Sequence, residues 1–163
     1  MNKSMLALAI AGAVLVAGGA QAQEAAQPIE LTHFMSAYSV ADIEAVTAFY
    51  VDVLDFEVVK DVPLEDGRHF RWLRNGNQGI ELVEIPNSTP GPDRSTPPAH
   101  LGVRGAAQLM LQVADLEATK AALLAKGVRL SVDITDVPVL GLKLMFVNDP
   151  EGNPIEIVEV TDG

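Results

Sequence analysis

Val40-Ala41-Asp42-Ile43-Glu44-Ala45 and, 73 positions on, Val113-Ala114-Asp115-Leu116-Glu117-Ala118 are one pattern written twice. A second pair follows in the same order: Ile80-Glu81-Leu82-Val83-Glu84-Ile85 and Ile155-Glu156-Ile157-Val158-Glu159-Val160, 75 positions apart. Two independent matches at nearly one offset mark an internal duplication. The small change of offset is a change of loop length inside the unit.

Around each match the same elements are expected. A strand near His33–Ser39, and its counterpart near Gln108–Val113, leads to an Asp that caps a helix through its carboxylate. Ile43, Val46, Tyr50 and Val53 form a stripe of helical period in the first copy; Leu116, Leu123 and Leu124 do so in the second. Gly127 stands where a left-handed helix stop is wanted. Three strands follow each helix: near Phe56–Lys60, His69–Leu73 and Gly79–Ile85, then near Val128–Val132, Leu142–Val147 and Pro154–Val160. The short Asp66-Gly67, Asn75-Gly76 and Glu151-Gly152-Asn153 turns between them suit antiparallel neighbours. The predicted class is α+β, two tandem βαβββ modules.

Pro86 to Gly105 holds five of the ten prolines and is expected to be a linker without regular structure. The domain plan is therefore a folded region over 31–160, with module one at 31–85, the linker at 86–105 and module two at 106–160. Before it, Lys3, the apolar run Met5–Ala17 and Ala20-Gln21-Ala22 read as a signal peptide over 1–22, followed by an N-terminal segment at 23–30. That run is shorter than the ~20 residues a membrane span needs. The expectation is a periplasmic or secreted protein with no membrane association after cleavage. A formal charge of −11 argues against nucleic acid as a partner. The absence of cysteine excludes disulfides, thiolate metal sites and thiol nucleophiles.

Ala48-Phe49-Tyr50-Val51-Asp52-Val53-Leu54-Asp55-Phe56 after the first helix start, and the closing run Phe146-Val147-Asn148-Asp149-Pro150-Glu151-Gly152-Asn153-Pro154-Ile155-Glu156, resemble the vicinal oxygen chelate (glyoxalase/bleomycin resistance) superfamily. The likeness spans about Leu31 to Val160. Asp55 departs from it, standing where that family usually has Gly; Asp tolerates left-handed geometry better than most residues. The resemblance implies a cupped mixed sheet enclosing a cavity, often with one divalent metal held by two side chains from each module.

Aligned on the Asp at each helix start, the four ligand positions implied by the family are Met35, Glu81, Gln108 and Glu156. Alternation independently puts Glu81 with Val83 and Ile85, and Glu156 with Val158 and Val160. A carboxylate on such an apolar face needs a metal, a donor or water. Glu84 and Glu159, of opposite parity, are expected to be solvated. Glu81, Gln108 and Glu156 form an oxygen-rich set suited to Mn, Ni, Fe or Mg, with Glu156 as the catalytic base. Met35 is a poor ligand for a hard ion, and His33 is its nearest substitute on the strand. His69 reads as a strand residue and His100 as a linker residue near a pocket mouth. Trp72, Met110 and Met145 read first as core.

Two functions stay open at this point. One is a divalent-metal-dependent lyase or isomerase acting on a small molecule with adjacent oxygens. The other is a metal-free binding or sequestering protein of bleomycin-resistance type. The modules pair either within one chain or across a homodimer.

Overall fold

The computed structural model describes residues 34–161. The signal peptide of 1–22, the segment 23–30 and His33 lie outside the described residues. Module one runs β1 (Phe34–Val40), α1 (Ile43–Asp52), β2 (Glu57–Pro63), β3 (His69–Asn75) and β4 (Gln78–Glu84). Module two repeats it as β5 (Leu109–Gln112), α2 (Leu116–Ala125), β6 (Leu130–Val137), β7 (Leu142–Asn148) and β8 (Pro154–Val160). The two sheets have the orders β1-β4-β3-β2 and β5-β8-β7-β6. In each, the first strand runs parallel to the last and the other pairings are antiparallel. The duplicated βαβββ plan is therefore present.

One face of each sheet carries its helix. Ile43, Val46 and Tyr50 of α1 pack with Leu73, Ile80 and Leu82; Leu116 and Leu123 of α2 pack with Met145, Val147, Ile155 and Ile157. All belong to one contiguous core that spans both modules. Leu124 leaves the predicted stripe and is 51% exposed. The helix is only ten residues long, so a side chain one position past Leu123 already faces outward.

Asp42 and Asp115 cap their helices as expected, accepting from Ala45 N and Ala118 N. Glu84 and Glu159 are not merely solvated. Glu84 accepts from Ile43 N at 2.8 Å and Glu159 from Leu116 N at 2.7 Å. Both sit at the end of the strand beside their helix start, where two carboxylates face the free N–H groups and the positive end of the helix dipole. The second Glu of each duplicated strand is thus a helix cap. Asp55 takes the left-handed conformation, φ 56°, and Gly127 likewise, φ 79°.

Two contacts bind the modules across their seam. Lys126 Nζ donates to Val53 O and Asp55. Glu151, in the turn before β8, accepts from Ala41 N and Asp42 N at the start of α1. Replacing Glu151 with Ala removes a charged cap and should cost about 1 kcal/mol of unfolding free energy. Chemical denaturation measures it, and an unchanged midpoint would refute the cap.

At the same seam the Tyr50 hydroxyl is buried without a hydrogen-bond partner. Burial first, then the nearby Asp149 carboxylate and Tyr38, push its ionisation far upward. Tyr50→Phe discards an unpaired polar atom and keeps the ring contacts with Phe49 and Phe56. It should therefore stabilise the fold by about 1 kcal/mol; a loss of stability in the same assay would mean that the hydroxyl has a partner.

Candidate functional site

The faces turned away from the helices carry the predicted site residues. In module one, β3 and β4 pair Trp72 with Glu81, and Trp72 Nε1 donates to Glu81 Oε1 at 2.8 Å. Lys60, paired with Trp72 across β2, lies 4.3 Å from the indole ring centre. Trp72 is therefore a half-buried wall residue. Met35 extends over Gly79, where any side chain would collide: a Cβ there would stand 2.6 Å from Met35 Cγ.

In module two, β7 and β8 pair Phe146 with Glu156. Glu156 is 7% exposed and accepts from Gln108 Nε2. The other end of the amide, Gln108 Oε1, meets His100 Nε2. His100 comes from the linker, in a single 3₁₀ turn over Ala99–Gly102 that the proline-rich composition did not announce. It is 3% exposed and packs its ring edge-to-face on Phe146, centroids 5.8 Å apart. Arg94 fastens the turn by donating to His100 O and Val103 O, and Asn148 Nδ2 donates to Ser95 O. The linker thus lies over the inner face of module two. Its nearest sequence signal was a lone His among prolines.

Burial pushes the Glu156 carboxyl up, while the Gln108 hydrogen bond and the neighbouring His100 pull it back. At an ionised Glu156 the Gln108 amide must present N–H, because two acceptors cannot share a bond. Its Oε1 then faces His100, whose Nε2 carries the proton. Nδ1 of the same ring is buried without a partner.

The fit to a divalent metal follows from these partners. Among the described residues, no three His, Asp or Glu side chains gather into a metal-holding group. Gln108 spends its oxygen on His100 and its nitrogen on Glu156; Glu81 spends an oxygen on Trp72. The fourth position is the Met35 thioether, a soft donor. This donor set does not fit a hard divalent ion. Each carboxylate meets a protein hydrogen-bond donor, Glu81 the Trp72 indole and Glu156 the Gln108 amide.

The remaining site expectations divide. Met145 is fully buried core, whereas Met110 is 58% exposed on β5 opposite Glu156. His69 pairs with Asp61 at 2.6 Å. A 490 Å³ cleft at the module seam, lined by Leu54, Phe56, Leu111, Val113, Leu123 and Ile157 among others, contains none of the predicted ligand positions.

Residues 30–157 match the model of the Glyoxalase/Bleomycin resistance protein/Dioxygenase superfamily. The chain is 31% identical over 121 residues to the uncharacterized protein YwkD of Bacillus subtilis (strain 168), covering 73% of this chain and 89% of that one. Among solved structures, SMU.1112c is similar at TM-score 0.65 and 28% identity, over 81% of this chain and 100% of the other. TnmS3, an antibiotic binding protein from Streptomyces sp. CB03234, shares the fold at TM-score 0.58 and 23% identity, over 82% of this chain and 99% of its own.

Proposed function

Because the chain belongs to the Glyoxalase/Bleomycin resistance protein/Dioxygenase superfamily, we propose that it binds and sequesters a small molecule against the inner faces of its sheets without a metal. The observation that carries this reading is the pairing of the inner carboxylates with protein donors, Glu81 with Trp72 and Glu156 with Gln108. Met35 at the fourth ligand position supports it, as does the antibiotic-binding relative of the same fold. A negative formal charge of −11 favours a cationic or donor-bearing ligand. The signal-peptide pattern of residues 1–22 supports export of the mature chain to the periplasm or outside the cell. Exposed apolar side chains on the inner faces, Met35, Met110, Ile85 and Val160, suit a homodimer in which each copy gives one wall of the cavity.

The second reading, a divalent-metal lyase or isomerase with Glu156 as base, draws on one feature: burial raises that carboxyl toward the range where a base works. Metal content separates the two. The chain from Gln23 is incubated with Mn, Ni, Fe or Zn, desalted and assayed by elemental mass spectrometry. The binding reading expects no stoichiometric metal. Metal near one per chain or per two chains, lost in Glu81→Gln and Glu156→Gln, would overturn it and support the lyase or isomerase reading.

A further inference from the structure

Each wall of the seam cleft has a counterpart in the other copy of the duplicated unit. Phe56 N donates to Tyr50 O and Val128 N to Leu123 O, each at 3.0 Å. The two helix-to-strand corners therefore align with Tyr50 on Leu123 and Phe49 on Ala122. At the first corner the rings of Phe49, Tyr50 and Phe56 pack edge-to-face, neighbouring centroids 5.6 Å apart. At the second the same positions hold Ala122, Leu123 and Val128.

The turns differ as well. Across the seam α1 meets the long Asp149–Asn153 turn: Phe49 lines one hollow with Asp149 and Pro150, and Glu151 reaches Ala41 N and Asp42 N. α2 meets the short Gly76-Asn77 turn instead, with Ala122 where the ring would be. Both fillers are missing on that side. What they leave is the 490 Å³ cleft, a volume in the range of small-molecule sites.

The chemistry of its lining is equally one-sided. Leu123 and Ile157 are buried core residues and give it an apolar floor. Among the described residues that line it, Asp55 and Lys126 alone are charged, and they pair with each other at 3.0 Å. Asn75, Gln78, Gln112 and Thr119 add polar groups without charge. The hollow beside Phe49 keeps 460 Å³ but carries Lys126, Arg129 and Asp149, a poor surrounding for an apolar guest.

We propose that the cleft beside α2 is a second binding site, for an uncharged aromatic molecule whose ring takes the place that Phe49 fills in the other copy. The exposed amides of Gln78 and Gln112 at its mouth meet a hydroxyl or carbonyl substituent of that molecule. The site needs neither the inner faces of the sheets nor a metal, so it stands or falls apart from the reading above.

The probe is N-phenyl-1-naphthylamine, an uncharged aromatic amine that brightens in apolar surroundings. It is titrated into the protein by fluorescence, and amide NMR shifts locate it. Binding should saturate, with the shifts concentrated at residues 118–126 and 75–78. Ala122→Phe restores the ring of the other copy and should weaken binding by about tenfold or more. Ala118→Leu crowds the same wall one turn earlier and should act in the same direction. Ala121→Phe adds an equal ring one position round the helix, outside the cleft, and should leave the affinity unchanged.

Wild-type affinity in both filled variants, folded by circular dichroism, would overturn the site. If one of the two fails to fold, the other decides. Shifts at Met35, Gln108 and Met110 instead would put the probe on the inner faces and overturn it too. So would no uptake by the wild type; a dimer that Ala122→Phe breaks into monomers would then assign the cleft to a second copy of the chain.

Discussion

Ile157→Ala lowers the stability of the whole chain by about 2–5 kcal/mol, the usual cost of emptying a buried aliphatic site. Ile157 is 1% exposed on β8, opposite Met145 and beside Leu111. Because the core is continuous across both modules, the loss should not stay in module two. The single Trp makes this measurable, since Trp72 lies on β3 of module one. Denaturation followed by Trp72 fluorescence and by far-ultraviolet circular dichroism should give one shared, lowered midpoint. A fluorescence midpoint left at the wild-type value would mean that the modules unfold independently.

The second large effect belongs to Arg71. It is 6% exposed and donates to Glu44, Asp61 and the Thr47 hydroxyl, tying α1 to β2 and β3. Register identifies its counterpart: Arg71 pairs with Leu82 as Met145 pairs with Ile157. The duplicated unit thus solves one packing position twice, once with an ionic clamp and once with a thioether in the core. Arg71→Ala should cost about 1–3 kcal/mol, discounted because both carboxylate partners reach solvent. Arg71→Met fills the same space and should cost clearly less, as apolar replacements of buried ion pairs often do.

Arg71 also sets an acid dependence. Its hydrogen bonds hold the Glu44 and Asp61 carboxyls below their ordinary range. The folded chain therefore releases these protons more readily than the unfolded chain. This stabilisation is present above about pH 4 and is lost as pH falls through the depressed folded values. Denaturation midpoints between about pH 5 and pH 2 should fall less steeply in Arg71→Met than in the wild type. Parallel curves would refute the clamp.

The sequence made the duplication, the two Asp caps and all eight strands legible, because each is a local pattern or an internal match. Leu109–Gln112 begins one residue later than expected, an ordinary boundary error. The inward parity of Glu81 and Glu156 was equally legible. Their partners were only half so. Gln108 was placed by the repeat, but Trp72 meets Glu81 through strand pairing that links residues nine apart. His100 reaches the site because the linker folds back over module two, and proline-rich composition carries no route. Glu84 and Glu159 were misjudged for a related reason: parity says which face a side chain leaves, not which helix begins above it. Met110 was expected in the core because an apolar side chain on a strand usually finds cover, and the short β5 leaves its face open.

The Glu151 cap has a historical meaning as well as an energetic one. Module one joins β3 to β4 through Gly76 and Asn77 alone, whereas module two joins β7 to β8 through Asp149–Asn153. Only the longer turn carries a carboxylate to the other module's helix. A chain built by copying one unit begins with halves that can trade places; here one half serves as donor and the other as recipient. The difference between the two copies has become part of the protein's information, and a chain built from two copies of module one would lack the pairing.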